Sequence, residues 1–111
     1  MHHTDALVAG HLCLDLIPEF KHGAASFGEL LRPGALLDVG AATVSTGGAV
    51  SNTGLSLHRL GCRVRLVAKV GADPFGRLVH RILHEQSGGL DLDLQEDPDT
   101  ATSYSIVLNP P

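Results

Sequence analysis

The residues of this 111-residue chain best suited to holding a ligand are a glycine pair, Gly47–Gly48, and Asn52 one helical turn further on. Glycines let a ligand come close to the backbone, and a helix opening at such a pair presents unpaired amides. The Asn52 amide both donates and accepts, which suits a hydroxyl group. Asp15 lies in the opening apolar run, ALVAGHLCLDLI (6–17). When ionised it is an acceptor that can take two neighbouring hydroxyls of a polyol. A tight turn at 47–48 and a solvated strand end at Asp15 account for the same residues without a ligand. Spacing alone leaves both readings open.

Other patterns carry less. The run GGAVSNTG (47–54) lacks the Gly-Lys-Ser/Thr of a phosphate-binding loop, and its glycine spacing is not that of a dinucleotide fingerprint. His80 and His84 are four apart on a predicted helix, but their neighbours do not complete a zinc-binding HExxH, so they are assigned to its polar side and no metal is expected. Cys13 and Cys62 have no paired spacing and are read as packing residues.

The elements that must position these residues follow from periodicity. The first part of 6–17 is nearly continuous apolar, as in a strand covered on both faces, and Gly10 breaks it before a second extended stretch. Residues 18–34 are loop-like, punctuated by Pro18, Gly23, Gly28, Pro33 and Gly34, and 35–48 carry two short β-prone runs around Gly40. A helix is predicted after Gly48, with Val50, Thr53, Leu57 and Leu60 on one face and Gly61 as its left-handed cap. RVRLVAKV (63–70) alternates as a strand with one wetter face. Asp73 and Pro74 open a second helix whose stripe is Phe75, Leu78, Val79, Ile82 and Leu83, stopped by Gly88 and Gly89. LDLDL (90–94) and TSYSIVL (102–108) read as further strands. Strands joined through helices predict an α/β sheet with parallel pairing. The segment 12–46 falls outside that rhythm and is expected to form a β flap. In such sheets ligands collect beyond the carboxyl ends of the strands, where Asp15 and the glycine pair would lie.

Composition sets the outer bounds. Hydrophobic residues make up 43% and charged residues 18%, a globular balance. The formal net charge of −4 argues against nucleic acid, whose backbone needs a positive face. Six of the eight Lys and Arg residues fall between Arg59 and Arg81, a patch assigned to a solvated face. No apolar stretch approaches the roughly 20 residues that span a bilayer, and no secretory leader is visible. A reduced cytoplasmic setting and no membrane partner are expected.

The run GGAVSNTGLSLHRLGCRVRLVAKVGADPFG (47–76) resembles the N-terminal signature of the ribokinase-like (PfkB) carbohydrate kinases. Gly47–Gly48, Asn52, Gly61 and Gly71 stand at that signature's spacings. Gly-Ala-Asp-Pro-Phe-Gly resembles the family's Gly-x-Asp-x-x-Gly, and ALVAGHLCLD resembles its first strand, ending in an Asp that binds sugar. The resemblance covers essentially residues 5–108.

It implies a ribokinase-like α/β fold with helices on both faces of the sheet and a small β lid. Residues 1–111 would form the N-terminal segment of that single domain, with lid elements near 12–20, 35–46 and 100–108. Asp15, Gly47, Gly48 and Asn52 match the sugar pocket; Cys13 and Tyr104, or a neighbour of Tyr104 on its strand, would project near the sugar. The lid often pairs with a second subunit, so a homodimer through it is implied. Val50 stands where the family prefers a small residue and Gly54 where Ser, Thr or Ala is usual. Cys13 and Ala49 replace an Asn and a Lys of ribokinases, which leaves the sugar, or nucleoside, open. The family's catalytic base and its ATP and Mg2+ sites are expected downstream, so this segment alone is expected to be inactive. The rival expectations are a non-catalytic α/β binding or dimerisation module and a nucleotide-binding regulator.

Overall fold

The computed structural model describes residues 3–20, 26–86, 88 and 90–109. Gly23 and Gly89, two of the expected break points, lie outside these residues. Six strands and three helices follow in the order β1 (Ala6–Ala9), β2 (Cys13–Pro18), α1 (Phe27–Leu30), β3 (Ala42–Gly47), α2 (Gly48–Arg59), β4 (Val64–Gly71), α3 (Pro74–Gln86), β5 (Asp91–Asp97) and β6 (Tyr104–Ile106). They build two three-stranded sheets, β1-β4-β5 and β3-β2-β6.

The first sheet is wholly parallel, with Leu66 of β4 flanked by Val8 of β1 and Leu92 of β5. Alternation along β4 sends Val64, Leu66, Ala68 and Val70 into the core, where Val50 and Leu55 of α2 and Val79 and Leu83 of α3 cover them. Both long helices therefore lie on the same face. The other face carries Arg65 and Lys69, paired to Asp93 at 3.2 Å and to Asp97 at 2.5 Å, and leaves Leu7 61% exposed. Among the described residues β1 is the edge strand of this sheet, and the face that carries Leu7 is open.

The second sheet is the expected flap, made antiparallel between β2 and β3 and parallel between β2 and β6. It stands off the first: the radius of gyration is 16.8 Å, against about 13 Å for a compact 100-residue domain. The flap strands are shorter than expected. Of 35–48 only Ala42–Gly47 is a strand, and of 102–108 only Tyr104–Ile106. The short helix α1 interrupts the segment read as loop, held by Leu30 and Leu31 amides donating to the carbonyls of Ser26 and Phe27.

Helix α2 ends as predicted, with Gly61 at φ +91° and two closing bonds, Gly61 N to the His58 carbonyl at 3.0 Å and Cys62 N to the Leu57 carbonyl at 3.1 Å. Its buried face agrees with the prediction at Val50 and Leu57, which pack on the core, and differs elsewhere. Val50, Ser51, Gly54 and Leu55 face inward, whereas Thr53 is exposed and Leu60 is 80% exposed. The helix packs so tightly on β4 that a Cβ on Gly54 would overlap the Leu66 side chain, so a residue without a side chain marks the contact line. The stripe of α3 is as expected, with Val79 and Leu83 fully buried and Phe75, Leu78 and Ile82 packed against the core.

Candidate functional site

Asp15 sits in the middle of β2, half-buried, directly between Ser45 of β3 and Ser105 of β6 in register. Register partners share a face of the sheet. Asp15 Oδ1 accepts a hydrogen bond from Ser105 Oγ at 2.5 Å and another from Cys13 Sγ at 3.5 Å. The carboxylate also lies on Gly47: a Cβ there would overlap Asp15 Oδ2 and fall 3.0 Å from Cγ. Position 47 is glycine because an acid occupies the space a side chain would need. Burial, reinforced by the Asp15 charge, pushes the Cys13 thiol above its usual value and keeps it protonated, so it serves as a donor to Asp15.

Gly48 meets a different neighbour. Its φ of +89° and the His11 carbonyl, 2.6 Å from where a Cβ would stand, both exclude a side chain. The amide of Val50 donates to that same carbonyl at 3.1 Å. The start of α2 is thus fastened to the turn after Gly10 (φ +145°), and one of the amides expected to be free at the helix start is already used.

Asn52 is exposed on α2 and lines a cleft of about 270 Å³ with Ser45, Thr46, Ser51, Ser56 and Arg59. Thr46 and Ser51 share a hydroxyl–hydroxyl bond of 2.6 Å across the wall, and Ser56 Oγ donates to the Asn52 carbonyl at 2.7 Å. Asp15 does not line this cleft; Ser45, its neighbour on β3, does.

The structure gathers Cys13, Asp15, Gly47 and Ser105 on one face of the flap and sets Gly48 at its root. Tyr104 falls on the other face, beside Leu14, and its ring meets Phe75 of α3 edge-on at 5.1 Å between centroids. The residue of that strand that reaches Asp15 is Ser105. Strand alternation shows that Tyr104 and Ser105 face opposite ways, but the register that sends Ser105 to Asp15 belongs to β2, ninety residues away. Ser45 and Thr46 were also missed in the sequence, lying in a β-prone run with nothing to mark them.

His80 and His84 stack at 6.4 Å on the exposed side of α3. Among the described residues no three His, Cys, Asp or Glu side chains are grouped to hold a metal ion. Among the same residues no helix is long and apolar enough to cross a membrane.

A parallel three-stranded sheet with crossover helices and a β flap whose carboxylate lies on Gly47 make this an α/β protein. Residues 4–109 match the profile of the pfkB family carbohydrate kinases, and the chain belongs to that family. It is 40% identical over 101 residues to the bifunctional protein HldE of Geobacter metallireducens, a match covering 89% of this chain and 19% of that protein. The HldE of Citrifermentans bemidjiense is 35% identical over 103 residues, covering 93% and 20%. Among solved structures, a carbohydrate kinase from Agrobacterium tumefaciens superposes with a TM-score of 0.71 at 25% identity, covering 95% of this chain and 32% of that one. Mak1, a microbiome-derived acarbose kinase, gives 0.73 at 22% identity, covering 95% and 32%. A fructokinase with bound ATP from Xylella fastidiosa gives 0.66 at 22% identity, covering 94% and 29%. The chain spans about a fifth of the length of the curated relatives it matches and about a third of these solved structures.

Proposed function

We propose that this chain is the acceptor-binding and lid portion of an ATP-dependent carbohydrate or nucleoside kinase. Support comes first from Asp15: an anionic acceptor seated on a glycine, with a hydroxyl donor fixed beside it, in a strand of the lid. In this reading Asp15 takes two neighbouring hydroxyls of the sugar and Ser105 holds the carboxylate in place. Gly47 and Gly48 keep the backbone low, and Asn52 donates and accepts at the cleft that begins at Ser45. Cys13, protonated, adds a weak donor on the same face. The lid sheet closes over the sugar and keeps water from it. A second copy would pair through the lid, and the working environment would be the cytoplasm.

In the intact enzyme ATP supplies the phosphoryl group and Mg2+ neutralises its charge. The described residues do not fit either: the 47–54 run has no Lys, the Val50 amide is spent on His11, and no metal-ligating group is assembled among them. Phosphoryl transfer depends on positioning and charge stabilisation. The part of it that falls to this chain is the positioning of the acceptor.

The test is calorimetric titration of the chain and its Asp15→Ala variant with ribose, fructose and adenosine. A hydrogen bond to a charged group contributes about 1.5–3 kcal/mol, so the variant should bind roughly ten- to a hundredfold more weakly. Unchanged affinity removes Asp15 from the site.

A further inference from the structure

Besides the packing of Leu12 and Leu14 into the core and the Val50–His11 bond, the two sheets are joined by a few polar groups around Asp73. Its Oδ1 accepts from the Gly76 amide at 2.8 Å, which caps α3, and from Thr102 Oγ1 at 2.6 Å. Its Oδ2 accepts from the Thr102 amide at 2.8 Å. Thr102 Oγ1 in turn accepts from the Gly71 amide, the last residue of β4, at 2.9 Å. Thr102 is buried. Neither glycine leaves room for a side chain: a Cβ on Gly71 would overlap the Thr100 carbonyl, and one on Gly76 would overlap the Gly71 carbonyl. One carboxylate thus ties together the end of β4, the start of α3 and the residue two places before β6.

Just beyond Thr102 runs the strand that completes the flap. Leu14 N donates to the Ser103 carbonyl at 3.0 Å, Val107 N donates to the Leu16 carbonyl at 2.8 Å, and Ser105 reaches Asp15. β6 has only three residues, all exposed, so little apolar burial holds it. Besides its ladder to β2 and the Tyr104–Phe75 contact, it is held at its entry by the pinned Thr102.

We propose that Asp73 is a positioning residue: through Thr102 it fixes β6 against β2, and so places Ser105 on Asp15, without itself facing the sugar-side surface. The inference rests on the acceptor-binding reading only for what Asp15 does; the joint itself is independent of it. The Phe75–Tyr104 ring contact, made just past the α3 cap and two residues past Thr102, is the second point of the same clasp.

The experiment is amide hydrogen exchange by NMR on the full chain at neutral pH, with tyrosine fluorescence anisotropy alongside, since Tyr104 is the single tyrosine and there is no tryptophan. Asp73→Ser keeps a short acceptor for the Gly76 amide but cannot reach the Thr102 amide. Thr102→Val removes the hydroxyl, and Thr102→Ser restores it. In Asp73→Ser and Thr102→Val, the Leu14 and Val107 amides should exchange at least about tenfold faster and Tyr104 anisotropy should fall, while the β4 amides of Leu66 and Ala68 hold their rates. Thr102→Ser should behave as the parent. Unchanged Leu14 and Val107 exchange overturns the proposal. So does an equal rise at Leu66 and Ala68, which would mean that the residues merely hold up the whole fold. Because exchange needs no sugar, a chain that binds no carbohydrate but shows this pattern refutes the acceptor reading and leaves the joint standing.

Discussion

Gly54 and Leu66 should behave as one unit in a double-mutant cycle. A Cβ at position 54 would overlap the Leu66 side chain, which has no exposed surface and lies in the middle strand of the parallel sheet. Gly54→Ala gains about 1 kcal/mol of helix propensity but overpacks the core at a cost of about 1–3 kcal/mol, so it should be neutral to destabilising by roughly 2 kcal/mol. Leu66→Ala alone removes a buried side chain and should cost about 2–5 kcal/mol. In that background the clash is gone. Gly54→Ala then keeps its propensity gain, refills part of the space, and should stabilise by about 1 kcal/mol. The sign reversal corresponds to a coupling energy of about 1–3 kcal/mol, well above the scatter expected of independent sites. Urea unfolding of the four chains, followed by circular dichroism, measures it. Additive effects would show that α2 does not rest on Leu66 as described, and with that the packing of the whole helix on β4 would be wrong.

Two further outcomes follow from charge. Three aspartates are held below their usual value: Asp5 chiefly by the Arg63 amide, Asp73 by the Thr102 hydroxyl and amide, and Asp97 by Lys69. A depressed carboxylate lends stability that is complete above the unfolded-state value and disappears as pH falls through the folded one. The urea midpoint should therefore be level from pH 7 to 5 and drop below about pH 4; a midpoint that rises on acidification contradicts these bonds. Asp15→Asn should speed the reaction of Cys13 with a thiol reagent at pH 8, because a charge opposing the thiolate is removed. The gain should be partial, since burial is the larger cause. A Cys13 rate that does not change in the variant separates the two side chains.

Periodicity was a reliable guide wherever one face of an element is dry. β4 and α3 have such faces, and their core residues match the alternation and the stripe expected of them. Caps were legible for a similar reason: Gly61, and Asp73 in its bond to the Gly76 amide, act on backbone groups a few residues away. The inner face of α2 was legible at Val50 and Leu57 only, because its other contacts run through residues that hydrophobicity does not mark. Gly54 touches Leu66 by lacking a side chain, and Ser51 is buried by its bond to Thr46. The glycine pair is explained only in three dimensions: Gly47 yields to the Asp15 carboxylate and Gly48 to the His11 carbonyl, both from the segment that leads into and forms β2. Ser105 was legible only as a neighbour of Tyr104, because its orientation is decided by its pairing with β2, which nothing in residues 102–108 encodes.

The same pairing bears on how the protein is made. Asp15 and Ser105 touch, yet 90 residues of chain separate them. At roughly 5–20 residues per second on the ribosome, Ser105 emerges several seconds after Asp15. Once β3 has emerged β2 can pair with it on one side, but until β6 follows it has an open row of donors and acceptors on the other, which is a template for unwanted strands. The acid meanwhile has no hydroxyl beside it. The face that carries Asp15 is therefore completed late in the synthesis of this chain, and it is open until then to mispairing with a neighbouring nascent chain.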